Sequence, residues 1–359
     1  MTTHYHLIAS WQKWRLLVCL LACLSPFIPF SKLELNTKSM MQSAHRGVTL
    51  GLDGYDAVYR DASQIDILLI ESSGIAHSLD RMKLQKLFLE NSNRNLNIVS
   101  LPINSRGSEI QALLFKDLIE RRKVKLAVIE LNTKGQAYLH HATCFNAILP
   151  VWWELLQTQS LSIKVNLFGC SILSGLRNIY TSLDSKIAPY KRMRTSFTSF
   201  RWKRSASDEL PLNPALEMEI NRYADGIHLD EILTWPDNLQ KLDLYDFDGA
   251  LEAPLLREIV RLAKNHGVQL VGLSSPMSIG KTNKVLIEKK TQQLLLDNKI
   301  PIIAITLDSL RGIPFLTSLE QLFMEGNTTH MNNRGQAVVT PIYYRALASL
   351  SVSRISYDK

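Results

Sequence analysis

Short apolar runs alternate with helical patterns along most of the chain, and this alternation constrains the fold more than any other feature. Nearly continuous apolar strands indicate burial on both faces, and strand–helix alternation is typical of parallel order. The sequence therefore predicts an α/β fold with a doubly wound parallel sheet. The predicted strands are Ile65–Ile70, Asn97–Leu101, Val124–Leu131, Val268–Leu273 and Ile300–Thr306, and the predicted helices are Arg81–Leu89, Ser108–Arg122, Ala250–Asn265, Asn283–Asp297 and Gly335–Leu350.

The N-terminus has the pattern of a signal sequence or signal anchor. Lys13 and Arg15 precede Leu16–Phe30, an uncharged apolar run that is shorter than the ~20 residues of a full membrane span. We expect residues 1–31 to be an uncleaved anchor that places the remainder outside the cytoplasm, in the periplasm or at the cell surface. The alternative is a buried N-terminal helix.

The remaining chain divides by pattern into a stalk or cap at 32–64, an α/β domain at 65–350 and a tail at 351–359. With 46% hydrophobic residues among 359, the chain can bury a full core, which excludes a disordered protein. From about 158 to 244 the alternation fails, which predicts an insertion beside the sheet.

A basic and aromatic cluster at Lys191–Arg204 lies within this insertion, and the net charge of the chain is +8. Such a cluster is either a solvated loop or a contact for an anionic partner. The predicted anchor favours anionic lipid or acidic glycan and disfavours nucleic acid. Cys144 and Cys170 form either one disulfide in an oxidising compartment or two buried thiols. We expect neither a cofactor nor a metal.

The first candidate functional residues follow the first predicted strand, at Glu71-Ser72-Ser73-Gly74. A serine at the carboxyl end of a buried strand stands where open α/β sheets place their chemistry, although an ordinary strand-to-helix turn has the same composition. A second segment, at 325–335, contains His330 and opens the last helix. An early serine and a late histidine predict one site.

These motifs resemble the SGNH (GDSL-like) hydrolase superfamily, in particular its membrane-anchored branch with cell-surface polysaccharide O-acetyltransferases and the thioesterase-like protein of teichoic-acid D-alanylation. The resemblance implies a flavodoxin-like, three-layer fold in which Ser73 is the nucleophile and His330 the base. It also implies an oxyanion site formed by the backbone N–H groups of Ser73 and Gly107 and the side-chain amide of Asn132. The four motifs occur in the family's order.

The chain departs from the family at three positions. Glu71 replaces a glycine, Gly74 stands where this branch often has arginine, and Asn327 occupies the aspartate position three residues before His330. An asparagine cannot stabilise the imidazolium that forms when histidine takes the serine proton, so Glu325 is the alternative acid. An anionic Glu71 would oppose the negative charge that develops in acyl transfer.

Three functional hypotheses follow. The first is an esterase or O-acyltransferase that moves an acyl group from a donor to a cell-surface polysaccharide through an acyl-serine. The second is a non-catalytic SGNH-like module that binds glycan or a partner membrane protein in a polysaccharide modification or export system. The third, a nucleotide-binding protein, is the weakest because the chain contains neither GxGxxG nor GxxxxGK[ST].

Overall fold

A six-stranded, mostly parallel sheet with helices on both faces forms the centre of the protein. The computed structural model describes residues 19–20, 61–103, 108–131, 161, 164–165, 168–170, 214–246, 252–274, 284–306, 308–310, 313, 319–323 and 330–355. The strands are β1 (Ile65–Ser72), β2 (Ile98–Ile103), β3 (Val124–Glu130), β4 (Leu233–Thr234), β5 (Leu242–Tyr245), β6 (Gln269–Ser274), β7 (Val285–Glu288) and β8 (Ile302–Ala304). The α-helices are α1 (Ser73–Ala76), α2 (Arg81–Ser92), α3 (Ser108–Ile119), α4 (Pro214–Gly226), α5 (Leu229–Ile232), α6 (Glu252–His266), α7 (Lys289–Asp297) and α8 (Asn333–Ile355).

The strand order of the main sheet is β2-β1-β3-β6-β8-β4, and β5 and β7 form a separate parallel pair. All neighbours in the main sheet run parallel except β4, which pairs antiparallel with β8 at the edge. The predicted α/β class and the five predicted strands are confirmed. The predicted parallel order holds for the main sheet except at its edge strand β4.

The two faces of the sheet are buried by different helices. Ile67 and Leu69 of β1 belong to a core cluster with residues of α2, α4 and α8, and α8 packs against both other helices. The alternate β1 residues Leu68 and Ile70 are also fully buried, which places them on the opposite face, where α3 contacts β1 and packs against α6. Burial on both faces explains why β1 is a nearly continuous apolar run.

One predicted helix begins later than expected. Asn283–Asp297 was predicted to be helical throughout, but Val285–Glu288 forms β7, because Val285 and Ile287 are buried and their backbone pairs with β5. Glu288 then caps α7, since its Oε2 accepts a hydrogen bond from Thr291 N–H at 2.8 Å. Backbone pairing with β5, which is distant in the sequence, therefore makes this segment a strand and not the start of a helix.

The helix predicted at Ala250–Asn265 ends at His266, directly before Gly267. Gly267 has a positive φ of 67°, a conformation that favours glycine, and Val268 N–H donates to Ala263 O at 2.8 Å. This Schellman-type ending returns the chain to β6. Part of the predicted insertion is also structured, since α4 supplies Ile220 and Ala224 to the core cluster.

The chain divides into two compact units, one of residues 48–136 and 199–359 and one of residues 1–47 and 137–198. The sheet and all named elements belong to the first unit. In the second, the described residues are helical, Cys19 is free, and Cys170 is buried and disulfide-bonded.

Within the described residues, no helix has the length and apolar character needed to cross a membrane. Apart from Cys19 and Leu20, the predicted anchor lies outside them. The basic cluster Lys191–Arg204, Cys144 and most of the predicted stalk also lie outside the described residues.

Candidate active site at the carboxyl end of the first strand

The first strand ends at the topological switch point of the sheet. From β1 the chain moves to β2 on one side, and β3 then pairs with β1 on the other side, so a crevice opens at their carboxyl ends. Ser72 is the last residue of β1 and Ser73 the first residue of α1. The serine predicted as nucleophile therefore begins a helix at the edge where such sheets bind ligands.

The turn after β1 is held by the last residue of β3. Glu130 Oε1 accepts a hydrogen bond from Ser72 Oγ at 2.8 Å, and Glu130 Oε2 accepts one from Ser72 N–H. Ser72 Oγ in turn accepts from Gly74 N–H at 3.1 Å, as expected of a serine that precedes a helix. Three hydrogen bonds therefore connect β3, the end of β1 and the start of α1.

His330 lies against the segment that follows α1. Its ring centroid is 4.6 Å from that of His77, with the two ring planes 33° apart. His77 is buried and lies four residues after Ser73. Partial burial lowers the pKa of His330, because the desolvated imidazolium is disfavoured. The imidazole is thus mostly neutral at pH 7, which is the protonation state that a general base requires.

The position of His330 is set by the residues that open α8. Asn332 Oδ1 accepts from Gly335 N–H at 3.0 Å, while its Nδ2 donates to Gln321 O at 2.9 Å and to Phe323 O at 3.0 Å. One buried side chain therefore caps α8 and joins it to the 3₁₀ turn Leu319–Leu322. Because His330 lies two residues before Asn332, this network orients the histidine segment.

Glu71 is buried beside this turn, with 4% of its surface exposed. Burial and the charge of Glu130 raise the pKa of Glu71 to about 8, although the Ser100 hydroxyl, which donates to Oε1 at 2.5 Å, and Arg81 oppose the shift. The carboxyl is therefore mostly neutral at pH 7. At this pH, a mostly neutral Glu71 does not supply the anion that would oppose a developing oxyanion.

A polar cluster lies at these strand ends, and its buried members are Glu71 and Tyr343 of α8. Its partly buried members are Ser72, Ser100 and Glu130. The pKa of Tyr343 is raised, first by its complete burial and then by the charges of Glu130 and Glu71, with partial opposition from Ser78. The phenol thus remains protonated at physiological pH. We call this group the carboxyl cluster.

The predicted site residues are only partly described. His330 and the start of α1 at Ser73 lie within the described residues, and His330 is brought near α1 through His77. The other residues predicted for the oxyanion site and for the acid lie outside the described residues; these are Gly107, Asn132, Glu325 and Asn327.

Sequence reasoning missed three residues of this region. Glu130 was detectable, because a charged residue that ends the apolar run of β3 is exceptional at a buried strand end. Tyr343 and His77 carried no comparable signal, since each stands in a segment whose pattern does not reveal which strand it faces.

No protein-family model matches the sequence, and no curated protein matches it. Among the described residues, no three His, Cys, Asp or Glu side chains are grouped as metal ligands. The functional interpretation therefore depends on the chemistry of this edge of the sheet.

Proposed function

We propose that the protein is a membrane-anchored, SGNH-like serine esterase or O-acyltransferase that acts on a cell-surface polysaccharide. One observation carries this proposal: His330, with a lowered pKa, packs at 4.6 Å against His77, just after the short helix that Ser73 begins. This contact supports a site in which a histidine from late in the chain acts on a serine from early in the chain.

The topology supports the same proposal. The parallel strands in the order β2-β1-β3-β6-β8 correspond to the flavodoxin-like order 2-1-3-4-5, which the SGNH resemblance implies. Ser73 then occupies the carboxyl end of the first strand at the switch point. Neutral Glu71 removes the electrostatic objection to an oxyanion at this position.

In the proposed reaction, His330 takes the hydroxyl proton of Ser73 as its Oγ bonds to the carbonyl carbon of an ester or thioester donor. The N–H groups of Ser73 and Gly107 and the amide of Asn132 stabilise the oxyanion. When the carbon–leaving-group bond breaks, His330 returns the proton to the departing alcohol or thiol. A sugar hydroxyl or water then attacks the acyl-serine by the reverse sequence.

The location is proposed from two independent features. The basic residues before Leu16–Phe30 favour export of the remainder, and the disulfide at Cys170 favours an oxidising compartment. We therefore place the α/β domain in the periplasm or at the cell surface. There, Lys191–Arg204 contacts anionic lipid or acidic glycan.

A second candidate is a non-catalytic module that binds glycan or a partner membrane protein. The asparagine at position 327 favours it, since an amide in the acid position cannot stabilise the imidazolium of His330.

Serine labelling separates the two candidates. We expect the full-length protein in detergent to hydrolyse a short activated ester and to be modified at Ser73 by a serine-directed phosphonate, as mapped by peptide mass spectrometry. Ser73→Ala should abolish both reactions. The control Ser92→Ala, which removes a hydroxyl bonded to Phe88 O at the distant end of α2, should leave both unchanged.

Equal labelling of the Ser73→Ala variant would contradict the assignment of the nucleophile. If the parent protein neither reacts with the phosphonate nor hydrolyses the ester, the non-catalytic candidate is favoured.

A further inference from the structure

Two carboxyl groups lie near the carboxyl ends of adjacent strands, on the same face of the sheet. Leu69 of β1 and Val128 of β3 are register partners in a parallel pair, and both belong to the core cluster that α8 covers. Glu71 and Glu130 each follow two residues later. Because strand side chains alternate between faces, both carboxyls point toward the α8 side.

The hydrogen bonds assign different roles to these two groups. Glu130 accepts two hydrogen bonds from Ser72, one at each carboxylate oxygen, and such bonds favour the ionised form. Glu71 accepts one hydrogen bond, from Ser100 at Oε1, while its Oε2 is buried with no hydrogen-bond partner among the described groups. Glu71 is buried and Glu130 is partly buried, and two neighbouring carboxyls do not both ionise readily, so the proton belongs on Glu71.

We infer that Glu130 is the positioning residue of the serine turn, and that Glu71 keeps Glu130 ionised by carrying the proton of the pair. The inference deepens the proposed function and rests on it for its catalytic consequence. Ionised Glu130 holds Ser72 N–H and Oγ, and Ser72 Oγ holds Gly74 N–H, so that the intervening Ser73 is fixed at the start of α1.

Loss of the Glu71 proton should loosen this turn. Within the described part of the chain, the charged or titratable groups that act on Glu71 come from three other elements: Glu130 of β3, Arg81 of α2 and, through its electrostatic coupling, Tyr343 of α8. Of these three groups Arg81 is the cation, and Glu130 acts on Glu71 as an anion. A second negative charge at Glu71 would therefore repel Glu130 and weaken its bonds to Ser72.

The test measures hydrogen exchange and phosphonate labelling on the same full-length protein in detergent, from about pH 6 to about pH 9. This pH range includes the pKa of Glu71, which is raised to about 8 in the folded protein. The exchange readout is the protection of the Ser72 and Gly74 amides, corrected for intrinsic pH dependence. The variants are Glu71→Gln and Glu130→Gln, with Glu120→Gln as a control at an exposed glutamate paired with Lys116.

In the parent, protection and labelling rate should both fall above about pH 8, where Glu71 ionises. Glu71→Gln should remove the alkaline fall in protection and in labelling rate, because a neutral amide cannot repel Glu130. Glu130→Gln should lower protection at every pH and slow labelling on the order of tenfold to a hundredfold, since the turn loses its ionised acceptor. Glu120→Gln should follow the parent.

Unchanged protection of Ser72 and Gly74 in Glu130→Gln would overturn the inference, whatever the labelling shows. If Glu130→Gln does not fold, an alkaline loss of protection that persists in Glu71→Gln overturns it equally. A parent that shows the predicted protection changes but no labelling supports the positioning role and removes the proposed esterase or acyltransferase function. Failure of the positioning role and failure of the proposed function therefore give different experimental results.

Discussion

Two carboxyls at the ends of adjacent strands dominate the electrostatics of the candidate site. Glu130 is anchored by Ser72, whereas Glu71 is buried with a pKa raised to about 8. Their different environments determine their different charges, because full burial penalises the Glu71 anion, whereas Glu130 is only partly buried and accepts two hydrogen bonds from Ser72. On the proposed function, this arrangement provides an anchor for the serine turn without placing a second anion beside the oxyanion site.

The stability of the protein should depend on pH through Glu71. Its pKa is about 8 in the folded state and 4.5 without the fold, so folding favours its protonated form. The stabilisation is fully present below pH 4.5 and is lost as the pH rises through about 8. Glu71→Gln should therefore gain stability over the parent with rising pH, by at most about 1.4 kcal/mol per pH unit across this interval.

Urea unfolding of both proteins at about pH 5 and about pH 8, values that bracket most of this interval, measures the effect. The difference in unfolding free energy between Glu71→Gln and the parent should be larger at the higher pH. Glu120→Gln, which alters an exposed glutamate, should show no such trend. An equal difference at both pH values would contradict a raised pKa at Glu71.

At the scale of elements, α8 connects the histidine segment with the strand ends. Thr340 Oγ1 accepts a hydrogen bond from Asp80 N–H at 2.9 Å, where α2 begins, and Tyr343 lies in the carboxyl cluster. The start of α8 approaches the 3₁₀ turn so closely that a Cβ on Gly335 would lie 2.3 Å from Leu322 O. The glycine is required here by the contact with another backbone segment.

Gly335→Ala should destabilise the protein despite the higher helix propensity of alanine, which alone favours it by about 1 kcal/mol. The clash involves a backbone carbonyl and cannot be relieved by a side-chain rotation, so we expect a net loss of roughly 1–3 kcal/mol. Gly226→Ala is the matched control, because nothing lies within 4 Å of a Cβ at that helical glycine. Urea unfolding measures both changes, and equal stability of the two variants would show that the start of α8 can move.

At the scale of the whole molecule, the proposal requires the α/β domain to face the compartment that contains the polysaccharide. Two features support this placement: the basic residues before Leu16–Phe30 and the disulfide at Cys170. Both features concern the export of the protein, and neither depends on whether the protein is catalytic.

A reporter that is active only outside the cytoplasm should therefore be active when fused after Lys359, because flanking Lys and Arg residues retain the N-terminus inside. The protein should also remain with membranes after a high-salt wash, which screens surface contacts such as those proposed for Lys191–Arg204. Release by salt would contradict an integral anchor. Activity only of a cytoplasmic reporter would reverse the topology and exclude an extracellular acceptor.

Local pattern was sufficient to predict the class of fold and most of its elements. The apolar runs of β1, β3 and β6 are buried on both faces, and such strands differ from amphipathic helices in period and composition. Local sequence also indicates where helices end, as at Gly267, where a positive φ favours glycine. The serine turn was found for the same reason, since it follows a strand that the sequence itself reveals.

Only the tertiary structure decided which distant groups meet. Val285–Glu288 became a strand because β5 lies beside it, and Glu71 became neutral because it is buried near Glu130. The approach of His330 to His77 depends on how α8 crosses the sheet. Strand adjacency and burial are properties of the assembled fold, and a pKa follows from them. The sequence by itself therefore determined the elements and the serine turn, while packing decided the charge and the neighbours of that turn.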